Sequence, residues 1–214
     1  MNLFFDAVSR STLALGASWL VANLLRRASA DLRHYVWLMG LVMAALSLAP
    51  VSAPPPLRIV IASVPSVQAA SASLPATWNG RAILLSFWAA GCLLLLIRLA
   101  LDLYRLADVT RKGRRCGSDG IRWSDTVAAP MTWGVHHPVV LLPANMELLG
   151  PESCATAILH EQAHIARKDW VYQIFARLIT AILWFQPLAW LAAAQLRAEA
   201  ERAADDLVLA GGCE

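Results

Sequence analysis

Charge is what this 214-residue chain has least of. Only 15% of its residues are charged and 58% are hydrophobic, where soluble globular domains carry about a quarter charged. That shortage argues against an ordinary soluble domain and for a bilayer. Cysteine is sparse as well: Cys92, Cys116, Cys154 and Cys213 are four in all, with no C-x-x-C and no paired spacing. This argues against a disulfide framework, and reduced thiols fit a protein that faces the cytosol. None of the four has a partner near in sequence, which counts against a cysteine zinc site. A basic excess is also missing. The formal net charge is +3 and the arginines fall in short clusters that read as topology signals, so no direct contact with nucleic acid is expected.

Long apolar runs are present but broken. They cover about 8–25, interrupted by Arg10, 35–49, and 82–101, which carries Arg98 near its end. Each uncharged core is somewhat under the ~20 residues that span a bilayer unaided. Flanking arginines can snorkel to lengthen them. Arg26, Arg27 and Arg33 divide the first two runs, and Arg105, Arg111, Lys112, Arg114 and Arg115 follow the third. Residues 1–105 therefore read as a transmembrane region of three helices in the lipid bilayer, and 106–214 as a second domain. A signal peptide is the weaker reading of the first run, because a second run follows at once. A soluble all-helical core is the weaker reading of all three. Since positive charge favours the cytoplasm, the N-terminus and the loop around Pro54, Pro55 and Pro56 lie outside. Everything after the third span lies inside.

Past residue 120 the texture changes. Trp123, Thr126 and Val127, then Met131-Thr132-Trp133, then Pro138-Val139-Val140-Leu141-Leu142-Pro143 read as short strands, with residues 134–137 as a turn. The two prolines suit an edge position for the last strand, whose Val139, Val140 and Leu141 are candidates to bind an extended substrate. Gly150-Pro151-Glu152 starts a helix running to about Arg167. The stretch 170–196 is almost wholly apolar and reads either as a membrane hairpin or as a wall of the catalytic domain.

That helix carries His160-Glu161-Gln162-Ala163-His164, an H-E-x-x-H in a chain with five histidines. Imidazoles at i and i+4 share one helix face and can reach one metal ion, with Glu161 placed as general base. A catalytic zinc site takes a third protein ligand. The strongly helical run 197–208 offers it: Glu201 and Asp205 share a face with Val208 at i, i+4 and i+7. Glu201 is the candidate third ligand for Zn2+. Asp205 is the candidate that orients a ligating histidine through its other ring nitrogen. Glu199 competes for the ligand role, and a plain solvated acidic face is the bland alternative. His136 and His137 are weak candidates for an oxyanion contact.

Trp133-Gly134, the Pro138 to Pro143 run, the H-E-x-x-H, Arg167, Asp169-Trp170 and Glu199-Ala200-Glu201-Arg202-Ala203-Ala204-Asp205-Asp206 together resemble the BlaR/MecR-type membrane metallopeptidases, over about 120–210. The resemblance implies a mainly α, α+β protein: membrane helices, then a gluzincin-like zinc metallopeptidase domain with a small sheet edge over the motif helix. It implies a multi-pass protein of the bacterial inner membrane, with its protease domain cytoplasmic. It also implies regulated cleavage of a protein substrate, either a repressor or the chain itself. The S-x-x-K nucleophile of a beta-lactam sensor is missing, so beta-lactam sensing does not carry over. With Gly211-Gly212 as a helix stop, the domain reads as incomplete at its C-terminus. Either this is a fragment, or the signal arrives from a separate sensor; a homodimer is a further option. Two other functions compete: a non-proteolytic regulatory protein with structural zinc, and a membrane quality-control metalloprotease.

Overall fold

The computed structural model describes residues 2–49, 80–115 and 120–211. The Pro-rich loop, Cys116 and Cys213 lie outside the described residues. Two helices open the chain, α1 (Asn2–Leu24) and α2 (Ala30–Leu46). Ser29 starts α2 by accepting a hydrogen bond from the backbone N–H of Leu32, and Asp31 adds a carboxylate to its first turn, both favourable at a helix N-terminus. Next comes α3 (Gly80–Lys112), whose 33 residues extend about 50 Å. Among the described residues α3 is the one helix long and apolar enough to cross a membrane.

A small mixed sheet follows: β1 (Arg114–Arg115), β2 (Ile121–Ser124), β3 (Met131–Trp133) and β4 (Val139–Pro143). Its spatial order is β1-β2-β4-β3. β4 runs parallel to β2 and antiparallel to β3, with Val140 opposite both Ile121 and Thr132. This corrects the edge assignment of Val139, Val140 and Leu141. β4 is an interior strand with neighbours on both sides, and Val140 and Leu141 are buried. Pro138 and Pro143 delimit the strand without placing it at the rim. The rim beside the site is β3. A tight turn joins β3 to β4; Gly134 adopts φ +106° there, and an added Cβ would lie 2.8 Å from the His137 carbonyl oxygen.

After a 3-10 turn (Ala144–Leu149) come α4 (Pro151–Arg167), α5 (Asp169–Ile182) and α6 (Pro187–Ala210). Proline opens both α4 and α6, where its missing N–H costs nothing. One core joins the first helices to the last: Leu15 of α1, Trp37 and Leu41 of α2, Ile179 of α5 and Leu196 of α6 all pack into it. The two regions read from the sequence thus share their apolar interior. Gln186, buried before α6, donates to Thr12 at 2.9 Å and to Ser11 at 3.2 Å. Indole N–H groups tie α3 to the rest. Trp88 donates to the Ile182 carbonyl at 2.9 Å, and Trp133 of the sheet donates to Thr110 at 2.8 Å.

Candidate metal centre

His160 and His164 are one turn apart on α4, and their Nε2 atoms face each other at 3.2 Å. Glu201 of α6 brings its Oε2 to 3.6 Å from His160 Nε2 and 3.4 Å from His164 Nε2. The three side chains sequence reasoning had placed in one set are thus brought together, within 4.8 Å of one another by their ligand atoms. The remaining ring nitrogens are both engaged by carboxylates. Nδ1 of His160 lies 3.1 Å from Asp205, and Nδ1 of His164 lies 2.8 Å from Asp169.

These outer contacts decide the chemistry of the inner one. A carboxylate opposite Nδ1 accepts its proton, which leaves Nε2 of a neutral ring as a lone pair. Two nitrogen lone pairs and a carboxylate oxygen then point at one another, which a cation would satisfy. Bonds of about 2.0–2.1 Å at tetrahedral angles separate ligand atoms by about 3.3 Å, close to the spacing found. The donor set fits zinc.

A proton can compete for that position. Burial works against a charged His164, but the carboxylates of Asp169 and then Glu201 prevail and raise its pKa to about 9. Glu201, half exposed, is held below the usual carboxylate range, first by its hydrogen bond to His164. Glu161 behaves in the opposite way. It is 5% exposed, and burial pushes its pKa up, against the pull of the two histidines. A raised pKa suits a carboxylate that takes and returns a proton.

Asp169 is the residue that sequence reasoning missed in this role. The chain reverses between α4 and α5 at Lys168, a non-glycine residue with φ +60°. This left-handed step puts Asp169 at the start of α5 with its carboxylate turned back onto His164. The signal was there, an aspartate five residues past the second histidine, but spacing alone does not show a reversal. Glu199 goes elsewhere: it is buried on the α2 side of α6, 2.9 Å from Arg33 and 2.7 Å from Arg202. His136 and His137 sit exposed in the β3–β4 turn and do not line the site.

The centre opens into a cavity of about 640 Å³ walled by Met131 and Thr132 of β3, Leu106 of α3, Gln173 of α5 and the arginines Arg177 and Arg197. Two imidazoles and a carboxylate on crossing helices, a buried glutamate beside them, and a sheet rim along the cleft are the parts of a metallopeptidase. The sequence matches the BlaR1 peptidase M56 family over residues 4–212, and the chain belongs to that family. It is similar to the regulatory protein BlaR1 of Bacillus licheniformis, with 31% identity over 86 residues. That match covers 40% of this chain and 14% of the relative.

Proposed function

We propose that the chain is a membrane-embedded zinc endopeptidase of a signalling system that cleaves a repressor-like protein or itself. The observation that carries this reading is the convergence of Nε2 of His160, Nε2 of His164 and Oε2 of Glu201 beside the buried Glu161. Bound zinc would act there as a Lewis acid and lower the pKa of a coordinated water. His160, His164 and Glu201 would hold it, while Asp205 and Asp169 keep both rings in the ligating tautomer. Glu161 takes a proton from the attacking water and delivers it to the leaving amine. β3, not β4, supplies the backbone rim along which an extended peptide can lie. Arg177, paired with Asp102 at 4.0 Å, and Arg197 line the cavity, whereas His136 and His137 do not, so these arginines are the cations available to the charge that develops on the peptide oxygen.

The membrane reading rests on exposed apolar surface. Only 6% of the most apolar stretch of α3 is buried, and Phe87 and Leu94 are each 67% exposed. A soluble core helix would hide these side chains, each worth about 1.5–3 kcal/mol on burial. α1 and α2 present Leu13, Leu24 and Met39 in the same way and complete a three-helix membrane region. Gln186 beside Ser11 and the Ile182 carbonyl beside Trp88 put the α5–α6 turn at the depth of α1 and α3. The tip of the apolar stretch 170–196 then lies within the bilayer, while Trp170, Gln173 and Arg177 at its start wall the cavity. The metal ligands lie at the arginine-rich end of α2, the cytoplasmic end by charge.

Glu161→Gln tests the enzyme reading. The variant should bind zinc with the stoichiometry of the parent protein and show no cleavage of a co-expressed repressor or of itself. Cleavage at the parental rate would end the assignment. Intact repressor that binds equally well with and without zinc would favour a non-proteolytic regulator instead.

A further inference from the structure

The first turn of α2 reaches the metal centre through side chains. Asp31 lies there, and its Oδ1 accepts a hydrogen bond from Nη1 of Arg167. The same guanidinium donates from Nε to Asp169 Oδ2 at 3.1 Å, and that oxygen is 2.8 Å from Nδ1 of His164. Four residues make one polar chain from the start of α2 to a metal-ligating ring.

Burial gives that chain its consequence. The side chains of Arg167 and Asp169 are 11% and 5% exposed. Asp169 Oδ1 has no hydrogen-bond partner among the described residues, so its charge is compensated at Oδ2, by Arg167 and His164. A buried carboxylate held through one oxygen depends on where its arginine sits. A planar guanidinium shared between two carboxylates takes its orientation from both. Asp31, itself half exposed, therefore helps to orient Arg167 through one Nη1 contact, and the buried Arg167 holds Asp169.

The same turn also grips the other ligand-bearing helix. Arg33 pairs with Glu199 at 2.9 Å, and His34 Nδ1 donates to the Leu196 carbonyl at 3.1 Å. Both partners precede Glu201 on α6. Each of the two helices that carry ligands is thus registered on one turn of α2.

We infer that Asp31 is a positioning residue of the metal centre. Acting through Arg167 and Asp169 it sets the ring of His164, so the seating of α2 tunes how firmly the centre holds its metal. The inference rests on the zinc-site reading above and extends it to a residue far from the motif in sequence.

The test uses the whole chain in lipid nanodiscs, stripped of metal and titrated with Co2+. Affinity is read by competition with a chromophoric chelator, and ligand geometry from the visible absorption of the bound ion. Asp31→Asn should weaken Co2+ binding about three- to tenfold and shift that absorption. This is less than the roughly 10–100-fold cost of losing a group bonded to the ligand itself. Asp31→Glu should restore both. Asp108→Asn, whose carboxylate pairs with Lys112 on α3, should change neither. Parental affinity and spectrum in Asp31→Asn, while Asp169→Asn alters both, overturn the coupling and leave the zinc site standing. Unchanged Co2+ binding in His160→Ala and Glu201→Ala would remove the zinc site, and this inference with it.

Discussion

Two carboxylates two residues apart on α6 do different work, and the difference is measurable. Glu201 faces the histidines, whereas Glu199 is 4% exposed and clamped between Arg33 and Arg202. Glu201→Gln should cut zinc affinity by orders of magnitude while leaving the melting temperature of the metal-free protein nearly unchanged. Glu199→Gln should lower the melting temperature and, by loosening the grip of α2 on α6, weaken zinc binding only a few-fold. It strands Arg33, 15% exposed, and breaking a buried pair from one side costs about 3–5 kcal/mol. Chelator competition and thermal melting of both variants decide the matter, and a Glu199→Gln protein that cannot bind zinc would reverse the two roles. Glu161 gives a pH signature of its own. Its folded pKa is raised by burial, so the folded state disfavours its charge. That charge costs stability as pH climbs above the unfolded value near 4.3. The stability gain of Glu161→Gln over the parent, both metal-free, should therefore be small at pH 4 and grow as pH rises to 7. A gain that stays flat across that range would show that Glu161 is not desolvated.

At the scale of elements, Lys168 is the hinge that makes the site. Its left-handed backbone turns α4 into α5 and delivers Asp169 to His164, at a cost of about 1 kcal/mol for a residue bearing a Cβ. Lys168→Gly should relieve that strain and raise stability by up to about 1 kcal/mol, less whatever flexibility glycine adds to the unfolded chain. Lys168→Val, β-branched at the same φ, should be clearly worse than the parent. Equal melting temperatures for all three would mean that the turn stores no strain. Legibility in the sequence follows the range of the cause. α4 begins at Pro151 and ends at Arg167 as its local signals require, because a proline at the first turn and an i, i+4 pattern act within a few residues. The α6 face with Glu201 and Asp205 could be read for the same reason. The rank of β4 in the sheet could not. Prolines at the ends of a strand say where pairing stops, but which strands flank it is settled by β2 returning in parallel, a non-local event. The roles of Asp169 and Asp31 escaped for the same reason. One depends on a chain reversal and the other on packing between helices 136 residues apart.

For the whole molecule, the strongest demand is a cover for its exposed apolar coat, and on the reading proposed above lipid supplies it. α3 starts with exposed Ile83, Leu84, Leu85 and Phe87 and ends in Asp108, which pairs with both Arg111 and Lys112 at the surface. The centre of the helix suits hydrocarbon and its last turns suit water, and the same helix continues to the cavity through Leu106. Arg26, Arg27 and Arg33 lie at the end of α2 that touches Glu199 and Arg167, so the basic residues and the metal ligands gather on one side of the bilayer. On the membrane reading proposed above, the positive-inside preference would make that side the cytoplasm. In a background without native cysteines, Asp108→Cys should react with a membrane-impermeant maleimide only after the cells are opened. A tag placed before Met1 should be accessible on intact cells. Leu94→Cys should stay protected in both states and react only once detergent replaces the lipid. If Leu94→Cys in opened cells reacts as fast as Asp108→Cys, α3 is not in the bilayer. Its 67%-exposed leucine would then stand in water, and the metal centre would lose its place at the membrane surface.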